Sequence, residues 1–112
     1  MNDLSIVSLF FGGSCLINAV PHLVSGVTGR PFPTIFAKPI GVGLSSPVIN
    51  LIWGSANLFF AYMLLCRFAE FEIQNPIDAT SVGIGALVMG LGLARHFGHL
   101  ETSQEVSRID RA

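Results

Sequence analysis

His22, His96 and His99, with Asn18, Asn50 and Asn57, are side chains able to move protons or direct hydrogen bonds in stretches that carry little or no charge. Imidazole titrates near neutrality and ligates metals. A primary amide both donates and accepts. Their spacing places them on common helix faces: Asn18 and His22 are four apart, His96 and His99 three, and Asn50, Trp53 and Asn57 three and four. Arg30 and Arg95 supply cations near the same ends. Polar groups inside a membrane are costly and point to function by default. The candidate ligand-binding set is therefore Asn18, His22, Arg30, Asn50, Trp53, Asn57, Arg95, His96 and His99. The chemistry expected of it is binding of a lipid-like or amphipathic ligand in a polar pocket facing the cytoplasm.

Two alternatives use the same residues. His22 and His96, or His99, can serve as axial ligands of haem b, which makes the chain a haem- or quinone-associated anchor subunit of a redox complex. Histidine acid–base chemistry on a lipidic substrate makes it a membrane-embedded enzyme. The leading reading is of a binding protein rather than an enzyme, with no catalytic residue, no metal and no resident cofactor assigned. The carboxylates Asp3, Glu70, Glu72 and Asp78 fall on the opposite side from the histidines, so a metal site lacks its acidic ligand. No GxSxG, GxGxxG, HExxH or P-loop pattern occurs.

The elements that carry these residues are defined by where charge is missing. Only 12% of the 112 residues are charged, 51% are hydrophobic and the mean hydropathy is +0.64. No Asp, Glu, Lys or Arg occurs in 4–29, 39–66 or 79–94. A bilayer-crossing helix needs about 20 apolar residues. The fold class is all-α integral membrane, with three transmembrane helices at about 4–27, 47–66 and 77–97. These form one three-span domain, followed by a short polar cytoplasmic tail at 100–112. Nucleic-acid binding is excluded, because no basic patch is present to meet phosphates.

Local signals set the boundaries. Asn2 or Asp3 can cap the first helix, and Ser45-Ser46-Pro47 places a hydroxyl cap before a proline at the first position of the second. Asp78 or Thr80 is the expected cap of the third. Met1-Asn2-Asp3 has no basic residue, so the first run reads as a permanent span rather than a signal peptide. Pro21 removes a hydrogen bond inside that span. Residues 28–46 form a long Pro/Gly-rich interfacial loop, too apolar to wave in water, that lies among headgroups or folds back over the helix ends. Cys15 and Cys66 lie in apolar runs and imply no disulfide framework.

With three spans, Arg30, Lys38, Arg95, Arg108 and Arg111 fall on one side and Arg67 alone on the other. The positive-inside rule then expects the N-terminus outside and the C-terminus in the cytoplasm of a bacterial inner membrane. Ala86, Gly90, Ala94 and Gly98, extended by Gly83, predict a packing stripe, with Gly85 and Gly92 on a second face. Ser8, Gly12, Cys15 and Ala19 predict another on the first span. The expected partners are membrane lipids and either further copies in a homo-oligomer or other membrane subunits.

Overall fold

The computed structural model describes residues 2–111; Met1 and Ala112, the last residue of the expected tail, lie outside them. Three helices are long and apolar enough to cross a membrane, spanning Asp3–Val27, Pro47–Phe68 and Pro76–Arg111. The first is α1 (Asp3–Val27), capped by Asn2, whose side chain accepts from the Ser5 amide at 2.8 Å. The second is α2 (Pro47–Tyr62), where Ser46 caps and Pro47 opens the helix as its sequence requires. It continues as a π-helical turn over Met63–Phe68. The wider turn leaves the Leu64 carbonyl open to the Ser8 hydroxyl of α1, 2.6 Å away.

The third helix, α3 (Pro76–Arg111), differs from expectation at both ends. Its cap is Asn75, which accepts from the Ile77 amide at 2.9 Å, and not Asp78 or Thr80. Asp78 turns back instead to accept from the Glu72 amide, closing the 69–75 turn. At the other end the residues expected as a tail stay helical to Arg111. Glu105 and Arg108, one turn apart, pair along that extension. Thirty-six residues at about 1.5 Å each account for the 57 Å long axis.

α1 is the central helix: α2 and α3 each pack along it and scarcely touch one another. Two reciprocal glycine contacts set this arrangement. Towards the N-terminal end of α1, a Cβ on Gly13 would land on the Val82 carbonyl and one on Gly85 on the Phe10 carbonyl, so α1 and α3 meet backbone to backbone. The Ser14 hydroxyl seals this crossing by donating to the Gly85 carbonyl at 3.1 Å. Towards its C-terminal end, a Cβ on Gly26 would lie 2.8 Å from the Leu51 nitrogen and one on Gly54 2.9 Å from the Leu23 nitrogen. There α1 and α2 meet.

The expected stripe on α3 is not the packing seam. Gly83 and Gly98 meet nothing within 4 Å, and Gly90 meets only Ile17, at 3.6 Å. Gly85, on the second face that the spacing predicts, makes the close approach, because that face of α3 is the one turned to α1 at the crossing; Gly92, its companion on that face, meets nothing within 4 Å. The α1 stripe is used: Gly12 faces Leu65, and Ala19 is fully buried. Leu9, Ala61 and Leu65 form the small core between the helices, with Cys15, Phe71 and Val82 against it.

The 28–46 segment folds back over the helix ends. Thr28 ends α1, and Gly29 follows with φ +72°, a left-handed position suited to glycine. The amides of Gly29 and Arg30 return to the carbonyls of Gly26 and Ser25. Beyond this turn, β1 (Phe32–Pro33) pairs antiparallel with β2 (Leu44–Ser45), Phe32 opposite Ser45. The segment is thus a cap at one end of the bundle.

Candidate functional site

At the capped end one amide organises the polar groups. Asn50 is fully buried in the first turns of α2. Its Nδ2 donates to the carbonyls of Phe32, Ser45 and Ser46 at 3.0, 3.2 and 3.1 Å. Its Oδ1 lies 2.7 Å from His22 Nδ1 on α1. Beside it the hydroxyls of Thr34 and Ser45 are 2.5 Å apart and buried. Two turns deeper, Asn18 Nδ2 donates to Asn57 Oδ1 at 3.0 Å, and Asn57 Nδ2 to the Trp53 carbonyl at 2.9 Å. These bonds satisfy polar groups that hydrocarbon would leave unmet. They also tie α1, α2 and the cap into one piece.

The sequence-derived set therefore divides. Asn18, His22, Asn50 and Asn57 come together between α1 and α2. His96 reaches the same cap from α3, with Nε2 2.6 Å from the Gly41 carbonyl. His22 and His96 do not meet. His22 packs edge-on against Phe32, Phe32 meets Phe97 at a tilt with 4.6 Å between centroids, and His96 packs against Phe97. His96 spends on a carbonyl the nitrogen that commonly binds haem iron, and no group of three His, Cys, Asp or Glu among the described residues is placed to hold a metal. Trp53 faces sideways and meets Phe36 edge-on at 5.1 Å. Arg95 and His99 are exposed and join no side-chain network among the described residues.

Two spaces adjoin Pro21. Since α1 and α3 cross near Gly13 and Gly85, they separate towards the cap. The gap is an apolar groove of about 310 Å³ lined by Ile17, Val20, Pro21, Gly90, Leu93, Ala94 and Phe97. Above it lies a cavity of about 340 Å³ lined by Pro21, Val24, Ser25, Arg30, Pro31 and Phe32. Pro21 is a wall of both, and Phe32 of the cavity meets Phe97 of the groove at a tilt. A further apolar cleft of about 540 Å³ lies between the cap and α2, lined by Phe36, Ile49, Ile52, Trp53 and Ala56.

Arg30 is thus the one sequence-derived residue that lines a space beside the groove. Its Nε donates to Thr28 Oγ1 at 3.2 Å, which orients the guanidinium. Sequence reasoning missed Thr34 and the Gly41 carbonyl, assigned Ser45 to a helix cap, and missed the groove. Thr34 and Ser45 carry a faint signal, as hydroxyls at the two ends of a Pro/Gly-rich loop. The groove carries none, because it follows from where two helices cross. No known family model, curated protein or solved structure matches this chain.

Proposed function

We propose that the chain is a small membrane protein that binds a lipid-like, amphipathic ligand at its capped end. The observation that carries this reading is that an apolar groove and a cavity lined by Arg30 stand side by side at Pro21. An apolar chain lies in the groove between α1 and α3, and a polar head lies under the cap. The asparagine and histidine clasp acts as scaffold, holding the cap where it roofs the site. The five-to-one distribution of Lys and Arg supports a capped end on the cytoplasmic side of a bacterial inner membrane. The face of α3 turned away from α1 is left for neighbouring copies in an oligomer.

Native mass spectrometry of the protein released from its membrane in mild detergent tests the reading. The wild type retains an added lipid mass. Ala94→Phe, which fills the groove, loses it, whereas Val48→Phe on the exposed face of α2 keeps it. A wild type carrying no more lipid than Ala94→Phe contradicts the proposal.

A further inference from the structure

We infer that the head of the bound ligand is a phosphodiester anion held by Arg30, so that the site selects anionic over zwitterionic lipids; this rests on the groove reading above. The argument begins from charge. No Asp or Glu occurs between Leu4 and Arg67, so the capped end has Arg30 and Lys38 from its own loop and no carboxylate from that stretch of α1, the loop or α2 to balance them; the nearest acid in α3 beyond Phe97, Glu101, forms no salt bridge with Arg30. The one salt bridge among the described residues, Arg108 with Glu105, lies on the far extension of α3. Arg30 is thus a cation without a salt-bridge partner among the described residues, beside an apolar groove.

Its placement is built into the chain. Gly29 in the left-handed region and the Arg30 amide bonded to the Ser25 carbonyl at 2.9 Å fix the backbone at the mouth of the cavity. Thr28 Oγ1 takes the Nε hydrogen. The two terminal nitrogens of the guanidinium make no bond among the described residues, and their fork matches two oxygens of a phosphate. Ser25 lines the same cavity. Since the α1 carbonyls are met by the turn itself, the guanidinium is not needed to close the helix.

The test reconstitutes the full chain in vesicles of equal phosphatidylcholine and phosphatidylglycerol, extracts it, and reads retained lipids by native mass spectrometry. The wild type retains phosphatidylglycerol over phosphatidylcholine by roughly tenfold, the scale of one charge-assisted hydrogen-bond pair. Arg30→Gln retains both lipids about equally, with an unchanged melting transition, and Arg30→Lys keeps part of the preference. Inorganic phosphate at millimolar concentration displaces neither lipid; displacement identifies a free-anion site and overturns the inference. Equal retention of both lipids by the wild type, lost in Ala94→Phe, overturns the phosphate assignment while the groove reading stands. Absence of any retained lipid overturns both.

Discussion

Asn50 Oδ1 stands 2.7 Å from His22 Nδ1, while the other arm of the same amide faces three carbonyl oxygens. Carbonyls only accept, so the NH2 must point to them and the oxygen to the ring. The ring therefore carries a hydrogen on Nδ1, and a neutral His22 is left with its lone pair on Nε2. A single side chain thus holds the cap, joins α1 to α2 and selects a tautomer.

Asn50→Asp follows from this as the more informative substitution. It sets an acceptor against three acceptors, whereas Asn50→Ala only deletes the bonds. Either costs roughly 2–3 kcal/mol, the scale of buried polar groups left without partners. Hydrogen exchange across 32–45 reads the outcome: the cap amides lose protection in both variants, and in Asn50→Asp at least as much as in Asn50→Ala. Protection retained in Asn50→Asp contradicts the clasp.

The glycines of α3 separate by position. Gly85→Ala drives a methyl into the Phe10 carbonyl and Gly13→Ala into that of Val82, each destabilising by about 1–3 kcal/mol. Gly83→Ala meets open space and is neutral or slightly stabilising, since alanine is the better helix former. Thermal unfolding in detergent, followed by circular dichroism, checks the order. Equal effects at the three positions contradict the crossing described.

Gly29→Ala isolates backbone strain, because no atom lies within 4 Å of the added methyl. The left-handed φ of +72° costs alanine about 1 kcal/mol or a little more. Gly29→Asn recovers part of it. A melting midpoint lowered in the alanine variant and partly restored in the asparagine variant is the expected pattern.

These effects show which parts of the structure were legible in the sequence. Missing charge marks the spans, and Ser46-Pro47 marks the start of α2, because both depend on nearest neighbours in the chain. Spacing also brings Asn18 and His22, and Asn50 and Asn57, to common faces. It does not show that the two faces spend their hydrogen bonds on each other and on the Phe32 and Ser45 carbonyls, since that depends on how 28–46 folds. Equal spacing makes Gly90 and Gly98 look like a seam, yet only the crossing point decides that Gly85 is the residue in contact. The polar residues after His99 read as a tail, although Glu101, Glu105 and Arg108 are good helix formers and extend α3 to its end.

Orientation has its own test. In a chain whose Cys15 and Cys66 are replaced by alanine, a cysteine introduced at Thr102 stays unreactive to an impermeant maleimide added outside intact cells. One at Gln74, in the opposite turn, reacts. The reverse pattern places the cap outside and contradicts the proposed topology.

Photocrosslinking with a phospholipid that carries its reactive group midway along one acyl chain tests lipid binding in the groove most directly. Peptide mapping is expected to find the label concentrated on 17–21 and 90–97, the two walls of the groove, and lost from both in Ala94→Phe. Label spread evenly over the lipid-facing residues of all three helices, unchanged by Ala94→Phe, would contradict a lipid site at the capped end.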